Sequence, residues 1–503
     1  MSESGIPRYG GTLTLGAPQG LAPMDPFSTC GTMSVSLLDV VFNCLMRVNA
    51  NGELERDLVE RWESDDGGKR FTFHLRRGVR FHDGEELTAA DVVFTYRKHT
   101  VEGATPWSPL YRNVERWDAL DRHTVRAVLR EPDPGFLHTL GRRIAPERHY
   151  GPEGDVEALA GRRPIGSGPF RVERWDPDGA LVLGAYRDYY EGRPRLDRIV
   201  VLPFPTVTAN WTALMRGDVD VMMFLDPEDA EFTRRDPAFR VFSSPGPLCY
   251  AIFFNLDDPR FADERIRRAV ASAINVTELI GKAAVGQGEP ATGMFCPGSV
   301  VARSLPPHAG YDPAESLRLF KEAGWNLNES GVLSRDGKPF EFDMLVNLND
   351  PVQQKIALVL RQDLNAVGVL MRLVSVSDEH EFFGRVWGGD CAVSLMGVLG
   401  FRDAERCDVV KEIWGKLLHT DVNRHFSAEA QESYRRARSA WDVEEREREW
   451  CVVANEVEMK RLAYFLYYPH VIHAARRRVR NVEPFLSGLT AQFFYLKDVN
   501  LEP

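Results

Sequence analysis

The stretch Phe71-Thr72-Phe73-His74-Leu75-Arg76-Arg77-Gly78-Val79-Arg80-Phe81-His82-Asp83-Gly84 decides the architecture. Phe71, Phe73 and Leu75 alternate, so they share one face of a strand and turn His74 to the other. Residues 81–85 read as a turn. Thr88 then precedes Asp91 by three residues, a variant of the capping box ahead of Val92, Val93 and Tyr96. A strand, a turn and a capped helix follow from local chemistry alone, and a mixed α/β chain is expected.

Working outward, residues 11–16 read as a short strand entering the turn-rich loop 22–26. Glycines and prolines punctuate 164–170 before another alternating segment. Residues 204–213 lead into a helix that Gly217 ends at its C-terminal cap. Ile266, Ala269, Val270, Ala273 and Ile274 have the spacing of one helical face, and Asp263 and Glu264 suit its positive end. Residues 355–367 repeat the pattern through Ile356, Val359, Leu360, Leu364 and Val367, and Gly368 separates them from a strand at 369–376. Asp442 and Glu445 cap a charged helix with Val452, Val453 and Val457 on its apolar side. Residues 465–468 read as a strand, and Arg476-Arg477-Arg478 as an exposed turn.

At about 100–200 residues per domain, 503 residues make roughly three domain-sized units. Hydrophobic residues at 44% and charged residues at 27% imply a packed core rather than a disordered or fibrous chain. The formal charge of −11 argues against indiscriminate attraction to nucleic acid or an anionic membrane. No run approaches the roughly 18 apolar residues of a transmembrane helix. Met1 to Arg8 lack the features of a secretory signal. They read either as a mature, periplasmic or extracytoplasmic chain whose signal was removed, or as the native start of a cytoplasmic protein. Seven cysteines without a Cys-x-x-Cys pair suit buried, reduced thiols.

Catalytic and cofactor signatures do not complete. There is no P-loop, and Gly286-Gln287-Gly288 is followed by Gly293 at the wrong spacing for a dinucleotide site. His380-Glu381 starts like a zinc-protease motif, but Gly384 stands where the second imidazole is needed. Ser167 fails the nucleophile elbow because Ile165 precedes it by two. His74 and His82 read as structural or exposed histidines. Met24-Asp25-Pro26-Phe27 suits either a ligand-lining loop or a packed turn, and Trp107 either an aromatic wall or a core anchor. No catalytic residue, cofactor or metal is assigned.

Several motifs in order go further. Tyr9-Gly10-Gly11-Thr12-Leu13, the 71–84 stretch and Leu87-Thr88-Ala89-Ala90-Asp91-Val92-Val93-Phe94 strongly resemble the family 5 extracellular solute-binding proteins, the peptide and nickel receptors of ABC importers. Gly166-Ser167-Gly168-Pro169-Phe170, Tyr189-Tyr190-Glu191-Gly192-Arg193-Pro194, Phe254-Asn255, Ile266-Arg267-Arg268-Ala269-Val270, Ala323-Gly324-Trp325 and Asp336-Gly337-Lys338-Pro339 extend the resemblance over nearly the whole chain. It implies an α/β, two-lobed periplasmic-binding-protein-like fold with an additional N-terminal subdomain, and a ligand enclosed between lobes. The corresponding boundaries are 1–50 for the first part of lobe I, 51–165 for the inserted subdomain and 166–250 for the rest of lobe I. Lobe II takes 251–475, and 476–503 returns to lobe I.

The resemblance weakens at the ligand. Many peptide-binding relatives carry a Gly-Trp segment followed by an aspartate for the peptide amino group. Here Gly397-Val398-Leu399-Gly400-Phe401-Arg402-Asp403 puts valine in place of the tryptophan and the aspartate farther along. Met24, Asp25, Trp107, Tyr250, Val398, Phe401, Arg402 and Asp403 are the candidate ligand-binding residues. Met24, Trp107, Val398 and Phe401 supply apolar contact, Tyr250 a hydroxyl, and Arg402 and Asp403 charge. The resulting expectation is a monomeric receptor for a peptide-like or other small organic solute, partnered by an ABC permease if exported and not by nucleic acid. The alternative is a cytoplasmic binder or enzyme of the same fold that acts in the enclosed cleft.

Overall fold

The 71–76 alternation is realised in the strand Arg70–Leu75, where Phe71, Phe73 and Leu75 are buried and His74 lies half-buried with Nε2 3.1 Å from Glu63. The computed structural model describes residues 9–17, 21, 24–28, 32–49, 53–105, 107–151, 163–176, 179–306, 310–401, 418, 424–486 and 493–502. Arg70–Leu75 is a central strand of a four-stranded antiparallel sheet, between Val59–Asp65 and Thr124–Leu129, with Val114–Asp121 beyond. The helix Ala89–Thr100 starts on the expected box, with the Thr88 amide donating to Asp91 at 2.9 Å. It covers the sheet by stacking Tyr96 on Trp117 at 4.4 Å. Leu58, Phe71, Phe73, Val92, Tyr96 and Trp117 belong to a hydrophobic core of this region's own.

This region belongs to the first of two compact units, Met1–Ser244 with Val471–Pro503. Its other sheet is built on Thr12–Ala17, parallel to both Arg198–Pro203 and Val221–Met222. Leu181–Ala185 and Phe170–Trp175 extend it antiparallel. Leu13, Leu15, Ile199, Val201, Phe170 and Phe493 share the second core. The helix Val207–Arg216 follows Thr206, whose hydroxyl accepts from the Ala209 amide at 3.0 Å, and ends at Gly217 with φ +89°. The left-handed backbone is what favours glycine there, since a Cβ would meet only the movable guanidinium of Arg476, at 1.9 Å.

The second unit is Pro245–His470. Its sheet runs Leu370–Val376, Glu341–Asn347, Val393–Leu399, Leu248–Phe254 and the first half of Ala463–Arg476. The first three strands are mutually parallel and Leu248–Phe254 is antiparallel to them. Glu264–Ser272 buries Ile266, Ala269 and Val270 as its spacing demands, and Pro351–Ala366 buries Ile356, Val359, Leu360 and Leu364. Val443–Met459 buries Val453 and Val457, but it also buries Glu458, a cost that the carboxylate recovers in part through Arg461 at 2.6 Å.

Ala463–Arg476 is much longer than the 465–468 expected from sequence. Pro469 removes one donor from it, yet its carbonyl still accepts from Gly246 at 2.9 Å, so the ladder continues. Arg477 and Arg478 are exposed as expected, and Arg478 pairs with buried Asp220 at 2.7 Å. Cys44, Cys249, Cys296, Cys391 and Cys451 are thiols, while Cys30 and Cys407 lie outside the described residues. Burial raises the Cys44, Cys249 and Cys451 thiols and pushes Cys391 up to about 11, which keeps them protonated at neutral pH. Among the described residues no helix is long and apolar enough to cross a membrane.

Candidate functional site

In open α/β sheets, ligands collect outside the carboxyl ends of parallel strands, because loops and helix starts converge there. In the second unit that edge delivers Leu348, Asn349 and Asp350 after Glu341–Asn347. It delivers Ser377 and Asp378 after Leu370–Val376, and Gly400 and Phe401 after Val393–Leu399. Asp350 caps Pro351–Ala366 by accepting from the Val352 and Gln353 amides, both at 3.0 Å. Asp378 caps the next helix, Glu379–Gly388, by accepting from the Glu381 amide at 2.7 Å. Carboxylates therefore already occupy two helix starts that would otherwise attract an anion.

Asp350 also accepts from the Tyr250 hydroxyl, at 2.9 Å to Oδ2 and 3.2 Å to Oδ1. Tyr250 stands opposite Tyr467 on the neighbouring strand, with the rings stacked at 5.7 Å and 30°. The Tyr467 hydroxyl is buried and has no hydrogen-bond partner among the described residues. Burial, and after it the Asp350 charge, holds both phenols above their ordinary value, so both remain hydroxyls. Beside this polar cluster the edge is apolar, with Leu348 45% and Leu399 70% exposed.

The sequence-derived candidates are distributed unevenly around this edge. Tyr250 is 4% exposed and belongs to the cluster. Val398 pairs with Cys249, whereas Tyr250 pairs with Gly397. Neighbouring positions on a strand project to opposite faces, so Val398 and Tyr250 do not share one. Phe401 is half-buried with its ring 6.1 Å from Phe295, and its backbone bonds Met294 and Cys296. Arg402 and Asp403 lie outside the described residues.

In the first unit, Met24 and Asp25 follow the carboxyl end of Thr12–Ala17. Met24 is fully buried in the core, and Asp25 accepts from the Phe27 amide at 3.1 Å and from the Ser28 hydroxyl. Trp107 packs half-buried against the core under the four-stranded sheet, with the Arg142 guanidinium 4.2 Å from its ring centroid. His82 is a half-buried structural group: Nδ1 accepts from Gly166, Nε2 donates to the Gly168 carbonyl at 3.0 Å, and desolvation pushes its pKa down to about 4.

Asp350 and Tyr467 are absent from the sequence-derived set. Asn347-Leu348-Asn349-Asp350-Pro351 does carry a cap signal, an aspartate just before a proline at the first helical position. A cap alone marks a helix start, however, and its tyrosine partner lies 100 residues away. A separate cavity of about 390 Å³ opens at the opposite, amino edge of the same sheet. Its arginines are matched by its own acids, with Arg260 on Asp258, Arg372 on Asp343 and Arg385 on Asp390. Among the described residues no group of His, Cys, Asp and Glu could hold a metal ion.

Residues 53–404 match the family model for bacterial extracellular solute-binding proteins, family 5 middle. The oligopeptide-binding protein AppA of Bacillus subtilis (strain 168) is 25% identical over 488 residues, covering 93% of this chain and 88% of the relative. The dipeptide-binding protein of Escherichia coli (strain K12) is 26% identical over 416 residues, covering 76% and 75%. Among solved structures, NikA from Brucella suis in complex with Fe(III)-EDTA superposes with a TM-score of 0.86 at 19% identity, covering 98% of this chain and 100% of that one. That likeness shows the fold, the two-lobed α/β arrangement of periplasmic binding proteins, and does not bear on the ligand.

Proposed function

The chain belongs to the family 5 bacterial extracellular solute-binding proteins, and from that premise we propose that it is the solute-capturing receptor of an ABC importer. It works outside the cytoplasmic membrane as a monomer, takes a peptide-like or other small organic ligand, and passes it to a permease. The near full-length match to an oligopeptide-binding protein carries this reading. The second unit's carboxyl edge suits the task, because exposed Leu348 and Leu399 can bury apolar ligand surface while Asp350 and Tyr250 orient polar groups. Tyr250, Phe401 and Asp350 are the contacts assigned to that unit. Binding of this kind needs no covalent step. The alternative of a cytoplasmic enzyme gains no support from the family match or from what the relatives are named for.

Cell fractionation combined with mass spectrometry of gently purified protein tests the reading. The expected result is protein outside the cytoplasm carrying a small organic molecule that is released unchanged on denaturation. Protein confined to the cytoplasm, or a retained molecule that is chemically converted on incubation, would overturn it.

A further inference from the structure

The amino-edge cavity of the second unit is built from two strands, a helix end and a pinned loop. Parallel register sets Asp343 beside Arg372 and Leu345 beside Val374, and alternation adds Glu341 to the same face. The helix Glu379–Gly388 packs against both strands and brings Arg385 from its last turn. Gly389, at φ +77°, turns the chain into 390–392. The Asn255 amide group holds that loop by donating to the Gly389 and Cys391 carbonyls, both at 3.3 Å. The enclosed space of about 390 Å³ is of a size that takes a small molecule.

The arginine–aspartate pairs around it are unequal. Arg260 donates to both Asp258 oxygens, through Nε at 2.9 Å, and to the Glu341 carbonyl. Arg372 donates through Nε to Asp343 at 2.8 Å. Arg385 meets Asp390 only through Nε, at 3.3 Å, and that aspartate side chain is 80% exposed, where water screens the pair. The two terminal nitrogens of Arg385 carry four N–H donors. Among the described residues they reach only the Asp390 carbonyl at 3.5 Å and the Glu381 carboxylate at 4.0 Å. A planar fork left open in this way matches a carboxylate.

Glu341 is the complementary case. Its carboxylate accepts no hydrogen bond among the described residues and reaches Arg372 at 3.7 Å. Three arginines and four carboxylates line the cavity. A simple anion would meet the open fork but also the surplus of negative charge, and a simple cation would meet Glu341 but also Arg385. A molecule carrying one carboxylate and one ammonium is suited to both.

We propose that this cavity is a second ligand site, for a small zwitterion whose carboxylate docks on the Arg385 fork and whose ammonium faces Glu341. It lies at the sheet edge opposite Asp350, so its occupancy does not depend on what the carboxyl edge binds.

The test is isothermal titration calorimetry of the full chain with L-alanine, 3-aminopropanoate, 4-aminobutanoate and 5-aminopentanoate, a series that widens the gap between the two charges. Each is also titrated as its carboxamide and as its N-acetyl form. At least one free member should bind the wild type at least about tenfold tighter than either blocked form, the factor expected for one hydrogen bond to a charged group. Arg385→Gln removes the fork and should bind that member no better than its carboxamide. Glu341→Gln should bind it no better than its N-acetyl form. The two variants and the two blocked forms read the two ends of the ligand separately, so the wild-type titrations and one variant decide the matter should the other fold poorly. Absence of binding by every member, or blocked forms that bind as well as the free ones, overturns the site. Undiminished affinity in either variant puts the binding elsewhere and overturns it too.

Discussion

Each unit contains an aspartate bonded by a tyrosine, and the two differ in what else reaches them. In the first unit, Asp57 is 2% exposed and accepts from the Asn43 amide group at 3.0 Å, the Cys44 backbone at 2.8 Å and the Tyr190 hydroxyl at 2.6 Å. Arg47 stands 3.8 Å away, also pairs with Glu55 and Glu191, and closes the charge account. In the second unit, Asp350 has the tyrosine and two amides but, among the described residues, no cation. A buried carboxylate whose lone pairs and charge are all matched is a structural pin. One whose lone pairs and charge are not all matched among the described residues keeps room for a further donor.

The largest test acts on the units themselves, through pH. Burial pushes His82 and His473 down to about 4 and His99 down to about 3, all in the first unit. Because the folded state refuses the proton that the unfolded chain accepts near pH 6.5, their stability contribution is full above that pH. It is lost as pH falls through the folded values. Asp57, raised by burial against the pull of Arg47, offsets part of this. In the second unit, burial pushes Glu458 up to about 8. Its contribution is full below the ordinary glutamate value near 4.3 and is lost as pH rises through about 8. His425 there shifts in the same sense as the first unit's histidines, through burial. Hydrogen exchange corrected for intrinsic rates should show the first unit opening at pH 5 and the surroundings of Glu458 loosening at pH 9. The same pH profile in both places would break the contrast.

Single substitutions sharpen it. Asp57→Ala leaves Arg47 and three donors short of a buried acceptor and should cost about 3 kcal/mol in urea unfolding. A loss below about 1 kcal/mol would mean that the cluster is not a pin. Tyr190→Phe deletes a bond to a charged acceptor and should cost about 2 kcal/mol. Tyr467→Phe should go the other way, with removal of a buried, unmatched hydroxyl raising stability by about 1 kcal/mol. The smallest change is expected for Asp350→Asn, within about 0.5 kcal/mol of wild type because the cap survives. If that variant were as damaging as Asp57→Ala, the two aspartates would be equivalent and the contrast would fail.

The devices that were legible in the sequence act over three or four residues. Thr88 with Asp91, Asp263 before Glu264–Ser272, and Gly217 after Val207–Arg216 all serve the helix termini they were read to serve. The run at 355–367 proved to begin at Pro351, since Asp350 and proline extend the helix to its cap. Misses came where a neighbour distant in sequence decides the outcome. Glu458 falls on the buried side of a helix that looked apolar there only through its valines. Tyr250 and Val398, both proposed for one pocket, are parted by the register of their two strands, which pairs Tyr250 with Gly397.

The amino-acid sequence by itself determined the kinds of elements, most of their ends and, through motifs spread along the chain, the family. Propensity, capping and periodicity are local energies that a linear reading can evaluate. Only the tertiary structure decided which carboxylate has a counter-charge and which hydroxyl lacks a partner. Those facts depend on strand register and burial across 100 or more residues, as between Tyr250 and Asp350, and no local term encodes them.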